Sequence, residues 1–129
     1  MNDSNAKRVG LVGHCRPDSS HLTMALTAAV PEAKVIRVTD DAGVEQLLKD
    51  GVDLLLVNRK MEDGYADAIG TDYIRRLRAT HPNVKMMLIT NFPDAIEASI
   101  KEGALPGFGK NELMTPATKQ KLQDALKPA

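Results

Sequence analysis

The sequence is poor in aromatic residues and carries no excess charge of either sign. Aromatic residues make up 3% of the 129 residues, which argues against a surface that stacks nucleic-acid bases. Lysine plus arginine and aspartate plus glutamate each number 17, so the formal net charge is zero. A protein that binds nucleic acid or acidic lipid needs a basic excess. We therefore expect neither a nucleic-acid partner nor a membrane partner.

Cysteine and long apolar runs are also scarce. Cys15 is the single cysteine, so no internal disulfide can form, as is typical of a reducing compartment. No stretch approaches the roughly 20 apolar residues of a membrane-spanning helix, and the polar N-terminus lacks the apolar segment of a signal peptide. We expect a cytoplasmic protein with one domain over residues 8–127 and a disordered lead-in over residues 1–7.

The most informative stretch is residues 52–58, Val-Asp-Leu-Leu-Leu-Val-Asn. Its apolar run from Leu54 to Val57 does not alternate, which predicts a strand covered on both faces, as in a parallel sheet between helices. The strand ends at Asn58. In open parallel sheets, ligands and chemistry gather beyond the carboxyl ends of the strands. The role of Asn58 is therefore the central question for function.

The rest of the chain repeats a strand-helix pattern with short connections. Predicted strands cover residues 8–13, 33–38, 52–57, 84–90 and 107–110, and helices are expected over 20–29, 41–50, 72–80, 94–102 and from 116 onward. The partly alternating strand 33–38 is expected near a sheet edge. This order predicts an α/β, flavodoxin-like (βα)5 three-layer sandwich with a five-stranded parallel sheet.

Polar side chains follow several of these strands and are expected to meet at one rim. Gly13 and His14 follow the first strand, Asn58 ends the third, Thr90 ends the fourth and Lys110 ends the fifth. A hydroxyl and an ammonium beside a central strand end indicate a site for a phosphoryl group.

On these residues the chain resembles the receiver domain of two-component response regulators over nearly its whole length. In receivers the third strand ends in a phosphoacceptor aspartate and the fourth in Thr or Ser, and these positions match Asn58 and Thr90. A lysine that follows a Gly-Ala pair matches Lys110, after Gly103-Ala104. The glycine that opens the third helix matches Gly70. The resemblance implies a signalling module that acts by protein–protein contact.

The departures from the receiver pattern concern the chemistry. Gly13 and His14 replace the acidic pair that holds Mg²⁺, and Asn58 replaces the acceptor. An amide cannot form a stable acyl phosphate, and Mg²⁺ prefers carboxylate oxygens. Gly107 replaces the expected aromatic residue, with Phe108 one place off, and the loop after Asn58 is longer than in receivers. The resemblance is thus to a degenerate pseudo-receiver that is no enzyme, has no cofactor and has lost or weakened Mg²⁺ binding.

We expect a stand-alone, catalytically silent module of two-component-type signal transduction. Its partner would be a histidine kinase or an output protein. The expected interaction surface, on which a homodimer would also form, comprises residues 94–103, 106–109 and 116–127. The alternative is a sensor of an anion or small ligand that uses Asn58, Thr90, Lys110 and the loop 13–18, since a helix N-terminus accepts anions.

Thr90 and Lys110 have a less specific interpretation, which we favour. In this interpretation both residues are retained from a receiver ancestor without a role in binding. Thr90 would then bond backbone groups, and Lys110 would bond Asn58 or a carbonyl. His14, Cys15 and His21 are side chains of types that bind zinc, but no CxxC or HxxxH spacing supports a site. A polar loop, a buried thiol and a surface histidine are favoured instead.

Two charged groups are also interpreted as ordinary surface. Asp63 and Asp67 indicate a solvated loop rather than a displaced phosphoacceptor. Arg75, Arg76 and Arg78 indicate a solvated helix face, with a local acidic partner as the second interpretation and nucleic acid as a distant third.

Overall fold

The protein forms one five-stranded parallel sheet with helices on both faces. The computed structural model describes residues 6–127, and its strands lie in the order β2-β1-β3-β4-β5. This is the predicted flavodoxin-like α/β fold, with β2 at an edge as expected. The strands are β1 (Arg8–Val12), β2 (Lys34–Val38), β3 (Leu54–Asn58), β4 (Met86–Ile89) and β5 (Leu105–Phe108). The helices are α1 (Arg16–Ala29), α2 (Asp41–Asp50), α3 (Gly70–Thr80), α4 (Pro93–Lys101) and α5 (Pro116–Ala125), with a short 3-10 helix at Lys110–Glu112.

Two apolar cores hold the sheet between its helices. Alternate residues along β3 point to opposite sides, so Leu54 and Leu56 enter one core while Leu55 and Val57 enter the other. The first core also contains Leu22, Leu26 and Ala29 of α1 and Leu122 and Ala125 of α5. The second contains Val44 and Leu47 of α2 and Tyr73, Ile74 and Leu77 of α3. Because every residue of β3 is buried, this strand fixes the position of the rim at its carboxyl end.

The predicted lead-in lies almost wholly outside the described residues. Residues 1–5 are not described, whereas the Lys7 carbonyl accepts a hydrogen bond of 2.7 Å from the Lys34 backbone nitrogen. Across residues 6–127, each helix is too short or too polar to cross a membrane.

Helix α1 begins earlier than predicted, at Arg16 rather than near Ser20. Pro17 occupies its first turn, where the missing N–H is no loss, and the Ser19 nitrogen already donates to the Cys15 carbonyl at 2.9 Å. The expected N-cap, Asp18 or Ser19, is therefore inside the helix. This shift brings Asp18 to the rim of the sheet.

Strand β5 begins two residues before its predicted start and is bulged. Met87 pairs with Leu105 and Ile89 with Phe108, so β5 has one more residue than β4 between these pairs. Pro106 lies in the bulge and offers no N–H donor, and the Lys121 ammonium donates to the Gly107 carbonyl at 2.9 Å. Bulge, proline and lysine are all devices of a protected edge strand.

Candidate functional site

The carboxyl ends of β1, β3 and β4 meet around Asn58, the last residue of β3. Two cavities open there. One of about 450 Å³ lies between the ends of β3 and β4 and is lined by Asn58, Thr90, Phe92 and Lys110, among others. The other, of about 330 Å³, lies beside β1 and β2 and is lined by residues that include His14, Arg37 and Tyr65. Residues 60–62 line both cavities and divide the rim into two halves.

The Asn58 amide is a hydrogen-bond donor to two backbone carbonyls. Its side chain is 8% exposed, and Nδ2 lies 3.0 Å from the Gly13 oxygen and 2.7 Å from the Lys60 oxygen. Carbonyl oxygens only accept, so the nitrogen of the amide must face them. A carboxylate at this position would set its own negative oxygens against both carbonyls. Asn58 therefore ties the end of β1 to the loop after β3, a role that aspartate cannot fill.

The loop over residues 59–69 is largely exposed, as expected of the predicted solvated loop, but it also folds back on the end of β1. Met61 donates to the Ala68 carbonyl at 2.9 Å, and its side chain is buried over Gly13. The Glu62 nitrogen donates to the Gly13 carbonyl at 3.2 Å. The Gly13 carbonyl oxygen therefore accepts two hydrogen bonds, one from Asn58 at the end of β3 and one from Glu62 in the loop.

Tyr65 fastens the same loop to the sheet. Its hydroxyl donates to the Val38 carbonyl at 2.9 Å and accepts from the Gly13 nitrogen at 3.3 Å. Its ring packs edge to face on Tyr73, and burial raises the pKa of Tyr65 to about 12, so the hydroxyl remains a donor at neutral pH. Sequence reasoning missed this residue; a lone tyrosine in a largely polar loop was the available signal.

His14 is a buried neutral imidazole. Its side chain is 2% exposed, and Nε2 lies 2.9 Å from the Leu56 carbonyl oxygen, so Nε2 carries the proton and donates. Burial lowers the pKa of His14 to about 4. Within residues 6–127, Nδ1 is buried without a hydrogen-bond partner. The imidazole therefore serves as a hydrogen-bond donor to the backbone of β3, beneath the rim.

These residues do not fit a Mg²⁺ ion of the receiver type. Such an ion needs several oxygen ligands, but Gly13 and His14 offer no side-chain oxygen, Asn58 offers a single neutral amide oxygen, and the Gly13 carbonyl is already bonded. These residues do not form a zinc site either, because His21 is exposed on α1 and Nε2 of His14 already bonds the Leu56 carbonyl. In the described part of the chain, no three histidine, cysteine, aspartate or glutamate side chains converge on a metal position.

Lys110 pairs with Asp18, not with Asn58 or a carbonyl as predicted. Its Nζ lies 2.6 Å from Oδ2 of Asp18, and the two side chains are 30% and 32% exposed. Hydrogen bonding to this ammonium holds the pKa of Asp18 below its usual range. The correction follows from the earlier start of α1, which carries Asp18 into reach.

Thr90 and Phe92 form the other wall of the larger cavity. Thr90 is 4% exposed, and its Oγ1 accepts a hydrogen bond of 3.2 Å from the Phe92 nitrogen. Phe92 is 56% exposed, and the Arg59 guanidinium carbon lies 4.6 Å from the centre of its ring, a cation–π contact. This half of the rim combines a hydroxyl, cations and a flat apolar surface.

Gly107 explains why the aromatic residue is displaced on β5. A side chain at this position would collide with the Leu88 carbonyl oxygen of the neighbouring strand. Phe108, by contrast, is fully buried in the core beneath α1 and α5. The chain therefore has no aromatic side chain on β5 that could move between a buried and an exposed position.

The arginines of α3 lie on an exposed helix face, as favoured from the sequence, and two of them also bind local acidic side chains. Arg75 bonds Glu102 at 2.9 Å, and Arg76 bonds Asp67 at 2.7 Å and Asp41 at 3.2 Å. These pairs are largely exposed and individually contribute little to stability. They do hold Asp67 in an ion pair, whereas Asp63 is exposed.

The fold matches those of solved receiver domains. The signal receiver domain of a DNA-binding response regulator from Colwellia psychrerythraea 34H superposes with a TM-score of 0.72 at 17% identity, covering 95% of this chain and 99% of that chain. A response regulator from Thermotoga maritima gives 0.71 at 19% identity, with 94% and 98% covered. An orphan response regulator of H. pylori gives 0.69 at 15% identity, with 95% and 98% covered.

At these identities the likeness establishes a shared fold. No protein-family model matches the sequence, and no curated protein matches it.

Proposed function

We propose that this protein is a receiver-like module of cytoplasmic two-component-type signalling that is not phosphorylated by the aspartate–magnesium mechanism and acts through protein–protein contact. The observation that carries the proposal is the Asn58 amide, which donates to the Gly13 and Lys60 carbonyls. Phosphoryl transfer to a receiver needs an anionic nucleophile and a divalent ion that screens the phosphate charge. Here an amide stands at the acceptor position, and the neighbouring Gly13 carbonyl is already bonded to Asn58 and Glu62.

The proposed binding surface is made by α4, β5 and α5, the face expected from the sequence. Ser99 is the only buried residue of α4, and Ile100 on the same helix is 40% exposed. A shallow cavity of about 440 Å³ lies on this face and includes Ile96, Ile100 and Lys121 in its lining. With Gly107 packed on β4, the surface has one shape unless a partner or ligand changes it. A histidine kinase or an output protein is the proposed partner class.

A phosphorylation assay tests the proposal directly. The protein is treated with acetyl phosphate and Mg²⁺, and separately with beryllofluoride and Mg²⁺, and followed by intact mass and by amide NMR spectra. We expect no covalent adduct by intact mass with acetyl phosphate, and no specific shifts around Asn58 and Thr90 with beryllofluoride. A stable phospho-adduct on the unaltered chain would overturn the proposal.

Two variants make that assay specific. Asn58→Asp supplies a carboxylate at the acceptor position and is the matched test of whether the missing nucleophile alone is limiting. Asp63→Asn tests the loop: an adduct on the unaltered chain that this variant abolishes would identify Asp63 as a displaced acceptor and refute the silent module.

A further inference from the structure

We infer that the cavity between the ends of β3 and β4 binds a phosphate monoester of a small hydroxylated molecule, reversibly and without covalent transfer. This ligand site goes beyond the signalling role proposed above and does not depend on it. The cavity measures about 450 Å³, within the range of small-molecule sites in proteins.

Two polar side chains in its wall are more than nine-tenths buried and have unused hydrogen-bonding capacity. Asn58 is 8% exposed. Its Nδ2 donates to two backbone carbonyls, while within residues 6–127 no group donates to its Oδ1. Thr90 is 4% exposed; its oxygen accepts from the Phe92 nitrogen, and no described group accepts its hydroxyl hydrogen. The cavity thus offers an acceptor suited to a ligand hydroxyl and a donor suited to an oxyanion.

The charges around the cavity favour a dianion. Lys110, Arg59 and Lys60 line it, against Glu62 as the one carboxylate among the lining residues. One N–H of the Lys110 ammonium bonds Asp18, and its other two N–H groups remain available to a ligand. In the described chain, Arg59 and Lys60 form no ion pair with a carboxylate. Phosphate, with charge-assisted acceptor oxygens in several directions, uses such a set better than a planar carboxylate does.

The remaining wall suits the organic part of the ligand. Phe92 is more than half exposed beside the Arg59 guanidinium, so a sugar or a flat ring can pack there while the phosphate faces Thr90 and Lys110. A sugar phosphate and a nucleoside monophosphate share this chemistry, and the binding experiment separates them.

Binding is measured by calorimetry and amide NMR on the full chain with inorganic phosphate, ribose 5-phosphate, AMP, ribose and citrate. We expect ribose 5-phosphate or AMP to bind more tightly than inorganic phosphate, with shifts at Asn58, Thr90 and Phe92. AMP above ribose 5-phosphate would assign the flat surface to a base, and the reverse order would assign a sugar phosphate.

Variants tie the binding to the named groups. Thr90→Val and Lys110→Met should each weaken the tighter ester by about tenfold, the value of one charge-assisted hydrogen bond. Lys49→Met, an equal loss of charge at the exposed end of α2, should leave it unchanged. The proposal is overturned by the absence of ester binding at millimolar concentration, by equal binding of citrate and ester, by no gain over inorganic phosphate, or by equal weakening in the Lys49 variant.

Discussion

The two halves of the rim are built in opposite ways. In the half beside β1, both backbone polar atoms of Gly13 are engaged: Asn58 and Glu62 donate to its oxygen, its nitrogen donates to Tyr65, and Met61 covers it. In the half beside β4, by contrast, Thr90 and Lys110 line an open cavity and keep unused hydrogen-bonding capacity.

This difference shows that one rim can combine a half that is tied together with a half that is open. The half beside β1 is held by backbone and side-chain hydrogen bonds, so it contributes to stability. The half beside β4 is lined by cations around an open cavity. The three predictions below test that division, because the first half should be costly to change and the second should not.

The largest effect is expected for Asn58→Asp. The change removes two donors and sets a buried charge against two carbonyl oxygens, which should lower the free energy of unfolding by about 4 kcal/mol at pH 7. Asn58→Ala removes the donors without adding charge and should cost about 2 kcal/mol. Urea denaturation measures both.

The pH dependence of the Asn58→Asp defect identifies its cause. Burial and the carbonyls raise the pKa of the new carboxyl above its unfolded value, so the difference from the unaltered protein should shrink as the pH falls toward 4. A defect equal to that of Asn58→Ala at every pH would mean that the carbonyls tolerate a carboxylate.

The second effect is a loss of stability in acid caused by His14. Its pKa is lowered to about 4 in the folded protein from an ordinary value of 6.5. The folded state therefore binds fewer protons than the unfolded state between these values, and its stability is fully present above pH 6.5 and declines below it. Integration over this window gives a loss of about 3 kcal/mol by pH 4.

Substitution isolates the His14 contribution. His14→Gln keeps an amide donor for the Leu56 carbonyl and removes the titrating group, so unfolding measured over pH 4–7 should lose most of its slope. His21→Gln, at an exposed position of α1, should retain the slope. If both variants behave alike, His14 is not the group responsible.

The smallest effect is expected in the open half, for Lys110→Met. The Lys110–Asp18 pair is about one-third exposed, so its loss should cost about 1 kcal/mol or less. The pKa of Asp18, which Lys110 lowers, should rise toward its usual value in an NMR titration. A cost as large as that of Asn58→Asp would remove the distinction between the two halves.

The sequence was sufficient for the sheet and for the position of Asn58. The uninterrupted apolar run of β3 indicates a strand buried on both faces, and its polar end marks the rim. The start of α1 was harder to predict. Local rules favour Asp or Ser as N-caps, whereas the N-cap residue here is Cys15, which makes no side-chain capping bond.

The partners within the rim could not be predicted, because they depend on distant contacts. Lys110 and Asp18 are 92 positions apart, and only the earlier start of α1 brings them together. The loop after β3 is largely polar and contains Gly64 and two aspartates, a composition typical of solvated loops. Its attachment depends on Tyr65 reaching the Val38 carbonyl on the edge strand of the sheet.

The protected edge at β5 limits how a partner can be recognised. A peptide that adds a strand to a sheet gains its affinity from a row of unpaired backbone donors and acceptors. At β5, Pro106 interrupts that row and Lys121 occupies the Gly107 carbonyl. A protein that docks on this side must therefore read side chains, and its specificity can change by surface substitution without any change in the sheet.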